Sequence, residues 1–320
     1  MRIALAGEAL IDFTGTGPLA FQGHEGGAVM NSAIACARLG QPTAFITQLS
    51  NDLFGEVLMA YIQANGVDTR FVLRSPAPST LAFVERTPQT NRYAFYTQGS
   101  ADATWAPEPL PQLPPECRFL HFGSISLLQD PAATRIADLV AANRGQRVVV
   151  FDPNVRPSLI TDMAAYRKRV AGWFGMADLV KLSDEDAALL APGQPVDALA
   201  ADCLAAGARA VIVTRGGDGA TLWRAGRAPV TVAAPRVEVV DTIGAGDTFT
   251  AGLSVSLLAH GVERPEQLGE LGDDAWREVM AFAATAAALN CTREGADPPT
   301  LEAVHAALAK EENTAVASRS

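Results

Sequence analysis

Short apolar runs alternate with segments of helical period along most of the chain. The runs IALAG (3–7), AFITQLS (44–50), RVVVFD (147–152) and AVIVT (210–214) have the length and unbroken hydrophobicity of strands covered on both faces. Residues 28–39, 52–64, 131–143, 163–176, 196–206, 247–260 and 275–290 instead repeat their apolar positions at helical spacing. This alternation predicts an α/β fold, a mainly parallel central sheet with helices packed on both faces.

From Thr69 to Gly99 the rhythm changes. TRFVLRS, STLAFVERT and RYAFYTQG follow one another with no helix between them, broken by PAP and PQTN, and predict a small antiparallel sheet. Such an addition can cover a site on the main sheet, extend its edge or form a dimer surface. The proline-rich APEPLPQLPPE at 106–116 reads as a connecting loop. KEENTAVASRS at the end has little to bury, so residues 311–320 are expected to be a disordered tail on a domain spanning 1–310.

Charge narrows the function. A net charge of −10 over 320 residues argues against general affinity for nucleic acid or anionic membranes, so an anionic ligand must be held locally. Cys36, Cys117, Cys203 and Cys291 are far apart and form no CxxC pair; free thiols of a reducing cytosol are expected. MRIALAGEALIDF has no basic leader, and no apolar run suits a membrane span, so a cytoplasmic protein is expected. Only three lysines occur, Lys168, Lys181 and Lys310, and none follows a glycine, which excludes a Walker A loop. GAGDTF lacks the third glycine of a dinucleotide fingerprint, and neither HExxH nor an EF-hand loop is present.

The candidate chemistry centres on DTIGAGDTFTAG at 241–252, where glycines and an alanine precede an acid, Asp247, at the start of a helical pattern. A first helical turn leaves N–H groups without partners and can hold a phosphate. Asp247 is then either an ordinary helix-start acid or a proton acceptor beside that phosphate. Four other stretches accompany it. GEALIDF (7–13) places Asp12 just after the first strand, and GGAVMNSA (26–33) opens a helix with Asn31 one turn in. FDPNVRP (151–157) bunches polar residues after a buried strand, where open α/β sheets bind ligands. VTRGGDGA (213–220) runs a strand into a glycine turn, which also suits a plain hairpin.

In this order and spacing the five stretches resemble the ribokinase-like (PfkB) carbohydrate kinases over about residues 1–300. FDPNVRP and GEALIDF are most similar to the bacterial fructokinases within that family. The resemblance implies a three-layer α/β/α fold with a small β lid built from about residues 9–26 and 69–100. It implies Asp247 as general base, with the amides of Gly244, Ala245 and Gly246 forming an anion hole for the phosphoryl group. Asp12, Gly26, Gly27 and Asn31 would hold the sugar, Phe95 would wall it and Arg156 would steady the substrate or the transferred phosphate. Lys181, Thr214, Gly216 and Gly219 would serve the nucleotide.

ATP and Mg2+ are the implied cofactors. Asp186 stands where the family's NxxE motif has glutamate, and Ser183 where it has asparagine; Asp186 would act on magnesium through water. Carbonyls of Asp241, Ile243, Asn290, Arg293 and Gly295 correspond to a potassium site in relatives. Ala284 replaces an asparagine often found in the family near the adenine. Kinases for 2-keto-3-deoxygluconate tend to carry a tyrosine and an arginine in the lid; here Phe95 and Thr97 stand there, which favours a neutral sugar, although fructokinases also often have that arginine. A catalytically silent sugar or nucleotide sensor on the same fold is the alternative from another class. Pairing of two chains through the lid is the expected assembly.

Overall fold

The computed structural model describes residues 1–86 and 91–317. The strands are β1 (Ile3–Ala6), β2 (Leu10–Gly17), β3 (Ala20–Gly26), β4 (Thr43–Ser50), β5 (Asp68–Ser75), β6 (Thr80–Arg86), β7 (Asn91–Tyr96), β8 (Phe119–Gly123), β9 (Val148–Asp152), β10 (Leu179–Ser183), β11 (Ala210–Thr214), β12 (Ala220–Trp223) and β13 (Val230–Val232). The helices are α1 (Ala28–Arg38), α2 (Leu53–Ala64), α3 (Ala132–Asn143), α4 (Met163–Phe174), α5 (Asp184–Leu190), α6 (Val196–Ala206), α7 (Ala245–Ala259), α8 (Gln267–Glu270), α9 (Asp273–Cys291) and α10 (Leu301–Ala317). None of the described helices is long and apolar enough to cross a bilayer.

Nine strands form the large sheet in the order β13-β12-β11-β10-β9-β8-β1-β4-β5, parallel from β11 to β5 and closed at one end by the antiparallel β12 and β13. Its strands read as continuous apolar runs because both faces are covered. Ile3, Leu5, Val148 and Val150 pack with residues of α1, α7 and α9, while Ala4, Ala6, Val149 and Phe151 pack with α3, α4 and α6 on the other side. Each buried Val, Leu, Ile or Phe contributes roughly 1.5–3 kcal/mol, so the two clusters hold the sheet as the middle of three layers. Helix starts agree with local sequence: Asp52 accepts from Gly55 N–H at 2.8 Å and Asp162 from Ala165 N–H at 2.9 Å.

The second sheet has four strands in the order β3-β2-β6-β7. Its composition corrects the reading of residues 69–99 as one antiparallel unit. TRFVLRS forms β5, which pairs in parallel with β4 at the edge of the large sheet. The cause is local: α2 sits between the two strands and makes an ordinary crossover, which places the second strand beside the first. Only β6 and β7 from that region enter the small sheet, and β6 runs parallel to β2 because the chain returns to it after that excursion. The PQTN break lies mostly outside the described residues. At the C-terminus, α10 carries the backbone as a helix to Ala317, through most of the segment expected to be disordered, and residues 318–320 lie outside the described residues.

The site depends on α7, which packs against α9 and α1. A side chain at Gly252 would place its Cβ 2.8 Å from Ala283 Cα, so the α7–α9 contact requires glycine there. Gly252→Val is expected to destabilise the fold by about 1–3 kcal/mol through overpacking and to displace the residues that α7 carries. Thermal unfolding and a turnover assay check this, with Gly269→Ala, where a Cβ meets nothing within 4 Å, as the control.

Candidate active site

Gly244 caps α7 with φ of 75°, a left-handed conformation that glycine adopts without strain, and leaves the first turn without a side-chain cap. The Ala245 N–H donates to Thr242 O at 3.2 Å. Among the described residues, no acceptor meets the N–H groups of Gly244, Gly246 or Asp247. Thus two of the three amides expected in the anion hole are free, Ala245 is engaged, and Asp247 adds its own. Beneath them lies a cation: Lys181 Nζ would be 3.0 Å from a Cβ on Gly246.

Asp247 is 7% exposed. Asn31 Nδ2 on α1 donates to its Oδ2 at 2.9 Å, and Asn154 Nδ2 on the loop after β9 donates to its Oδ1 at 3.3 Å. The Ser32 hydroxyl donates to its backbone carbonyl at 3.1 Å, tying α1 to α7. Burial pushes the Asp247 carboxyl up to about 6, with repulsion from Asp152 adding to it and Asn31, Lys181 and Arg156 opposing.

Asn31 also lines a cavity of about 190 Å³, together with Asp12, Thr14, Thr16, Gln22, His24, Glu25, Gly26, Asp241, Ile243, Glu294, Gly295 and Ala296. Strand alternation explains this lining. On β2 the residues Asp12, Thr14 and Thr16 turn toward the cavity, and the registers Asp12 with His24 and Thr14 with Gln22 bring polar partners from β3 to the same face. Gly26 leaves room for the Asp12 carboxylate, which a Cβ there would push aside. Gly27 caps α1, and its carbonyl accepts from the Asn31 N–H at 2.8 Å. Burial pushes Asp12 up to about 6, against the pull of Arg156 and His24. Phe95 is paired through Ala82 with Asp12, which puts it on the cavity-facing side of the small sheet. Thr14, Thr16, Gln22 and His24 were missed in the sequence, although the period of two in LIDFTGTG marks the first two.

A buried ionic group joins the other strand ends. Lys181 Nζ lies 3.1 Å from Asp152 Oδ2, which also accepts from the Thr250 hydroxyl of α7 at 2.8 Å. Burial works against the charge on Lys181, but Asp152, Asp186 and Asp247 together push it above the ordinary lysine value. Asp152 Oδ1 is buried without a hydrogen-bond partner. Both oxygens of Asp186 are engaged, Oδ1 by the Val155 N–H at 2.7 Å and Oδ2 by the Ser183 N–H at 2.9 Å in a capping box. Asp152 and Asn154 lie in the FDPNVRP stretch singled out in the sequence but had no role assigned there individually, and Thr250 was missed.

The remaining residues form two flanks. Thr214 ends β11 in register with Ser183, and Gly216 and Gly219 form the turn into the antiparallel β12, so the strand and hairpin readings both hold. On the other side, Gly295 N–H donates to Asp241 Oδ2 at 3.2 Å, and Asn290 Nδ2 donates to Ile243 O at 2.7 Å. These bonds draw the 241–243 and 290–295 loops together; the Asn290 carbonyl accepts from Arg293 N–H at 3.2 Å. Ala284 is buried in the core. Among the described residues, no group of three His, Cys, Asp or Glu side chains could hold a metal by itself. A larger open depression of about 330 Å³ near Arg118, Glu263 and Arg264 lies at the N-terminal ends of the strands, where Glu263 pairs with Arg118 and no base is presented.

Comparison with known proteins identifies the family of the chain. The model of the pfkB family carbohydrate kinases matches residues 2–303. A fructokinase of Rhizobium leguminosarum bv. trifolii is 40% identical over 279 residues, which cover 86% of this chain and 85% of that protein. The crystal structure of a Xylella fastidiosa fructokinase with bound ATP superposes with a TM-score of 0.88 at 28% identity, covering 97% of this chain and 99% of the other. A fructokinase double mutant of Vibrio cholerae O395, in a form with fructose, ADP and potassium ion bound, gives 0.83 at 25% identity, covering 95% and 97%. The chain belongs to the pfkB family of carbohydrate kinases and has their fold.

The raised pKa values of the Asp247 and Asp12 carboxyls set an expected pH response. With Asp247 in the role of base that the sequence leads one to expect, a group that must be ionised to act, turnover is expected to fall as pH drops through about 6, the region to which burial pushes both Asp247 and Asp12. The stability effect has the opposite sign. A carboxyl whose folded value lies above its unfolded value favours folding most at low pH and loses that contribution as pH rises through about 6. Asp247→Asn is therefore expected to unfold no earlier than the parent at pH 7 while losing turnover by about 10²-fold or more. A pH–rate profile and thermal unfolding of the two proteins check both signs.

Proposed function

We propose that the chain is an ATP-dependent fructose kinase that moves the γ-phosphoryl group of MgATP to the 6-hydroxyl of D-fructose, with Asp247 as general base. One observation carries the reading: a buried, ionisable carboxylate stands in the same helical turn as the unpartnered Gly246 N–H, and its partner Asn31 lines the polar cavity beside Asp12. The sugar would lie in that cavity, its hydroxyls met by Asp12, Asn31 and the polar face of β2 and β3. Asp247 then takes the proton of the attacking hydroxyl, and the free amides with Lys181 below them stabilise the charge that spreads over the migrating group. Closure of the small sheet would exclude water, the competing acceptor.

ATP would lie toward the Thr214–Gly219 turn with its phosphates reaching Lys181. The donor set suits magnesium brought in on the nucleotide: a hard carboxylate oxygen, Asp152 Oδ1, is buried and unpartnered, and Asp186 at the start of α5, whose oxygens already accept from the Val155 and Ser183 N–H groups, would act through water. The metal would supply charge neutralisation on the phosphates. A potassium ion, where bound, would be held by carbonyls of the 241–243 segment and of residues 290–295 at and after the end of α9, which the Gly295–Asp241 and Asn290–Ile243 bonds tie together. Thr97 accepts from Gln129 Nε2 at 2.7 Å and offers no cation for a sugar acid, which supports a neutral sugar over 2-keto-3-deoxygluconate.

ADP release with MgATP and a sugar panel is expected to respond most strongly to fructose, with the product carrying phosphate on the 6-carbon by 31P NMR. Stronger turnover of 2-keto-3-deoxygluconate would replace the substrate assignment, and silence on every sugar with binding retained would favour a sensor. The outer face of the small sheet supports a dimer. Phe13, Phe21, Phe83 and Tyr96 cluster there, with Phe21 39% and Tyr96 64% exposed. Sedimentation is expected to give a dimer that Phe21→Glu with Tyr96→Glu converts to monomer.

A further inference from the structure

The loop after β9 holds a residue that the proposed chemistry has not used. Asn154 has φ of 38°, inside the left-handed region that a residue with a side chain adopts at a cost. Its neighbours leave it little choice. Asp152 is anchored to Lys181 and Thr250, and the Val155 N–H is anchored to Asp186, so the chain between them must turn within two residues. The turn delivers the Asn154 side-chain amide to Asp247 Oδ1, while Asn31 serves Oδ2. A carboxylate only accepts, so both asparagines face it with their nitrogens.

We infer that Asn154 is a positioning residue for Asp247, and that its left-handed backbone is retained because it aims the amide at the second carboxylate oxygen. With one amide on each oxygen the carboxylate plane is fixed. Each oxygen still keeps a lone pair for a substrate hydroxyl. With Asn31 alone the group could rotate about its Cβ–Cγ bond and carry Oδ1 out of line. Small misplacements of a reacting group can reduce turnover about 10²-fold.

The inference rests on Asp247 being the base, and the experiment separates the two claims. Asn154→Gly removes the amide and tolerates the backbone angle. It is expected to lower kcat about tenfold to a hundredfold, with KM for fructose and for MgATP within about twofold of the parent and an unchanged unfolding temperature. Asn154→Asp preserves size and tolerance of the left-handed region but sets an anion against Oδ1, and is expected to lose more turnover than the glycine variant. Unchanged kcat in Asn154→Gly, a rise in KM with kcat intact, or near-parent turnover in Asn154→Asp each overturns the inference. Near-parent activity of Asp247→Asn overturns the base assignment itself, whereas an inactive Asp247→Asn with an unaffected Asn154→Gly removes only the role of Asn154.

Discussion

The site depends on one buried charge balance. Lys181 is the cation shared by Asp152, Asp186 and Asp247, all of which raise its proton affinity from different elements of the fold. Taking so many carboxylates out of water is unfavourable unless a cation accompanies them, and here one ammonium, fixed to Asp152 at 3.1 Å, does so for the group. Because Nζ lies against Gly246, the same charge also sits below the free amides of α7. The ammonium that pairs with Asp152 therefore also stands against the first turn of α7, close to the open amides.

The two sheets divide the work around that balance. The large sheet fixes Asp152 and Thr214 at the carboxyl ends of β9 and β11 and Lys181 in the middle of β10 between them, where backbone registers allow little play. The small sheet contributes Asp12 and the polar face of β2 and β3, and its strands come from two separated parts of the chain. Its two faces are unlike: the side toward the cavity is polar, the opposite side aromatic. Strand alternation produces both at once, so one thin element presents a polar side to the cavity and an aromatic side away from it.

Legibility in the sequence followed the range of the interaction. The parallel sheet was readable because VVVFD and AVIVT are unbroken apolar runs, and burial on both faces leaves that mark. β5 was misassigned because TRFVLRS has the same local character as the lid strands; its place is decided by α2 ahead of it. The glycines at 26 and 244 could be picked out by their neighbours, but the carboxylate for which Gly26 leaves room, that of Asp12, could not. The roles of Asn154, Asp152 and Thr250 were hidden for the same cause. Thr250 and Asp152 meet across 98 positions and Asn154 and Asp247 across 93, and contacts at that separation leave no period in the chain.

Acids at helix starts give the clearest lesson in telling a functional carboxylate from an ordinary one. Asp52 and Asp162 accept from N–H groups of their own helices, as capping requires, and Asp186 gives one oxygen to a box with Ser183. Asp247 occupies the third position of α7, as Asp186 does in α5, yet bonds none of its own helix's amides. Its oxygens are turned outward to asparagines from two other elements, and the amides it could have capped are left open. A fold selected for stability alone would close that turn with the acid already present. Keeping donors and acceptor apart, at the cost of a buried carboxyl pushed up to about 6, makes physical sense when a third group is to enter between them.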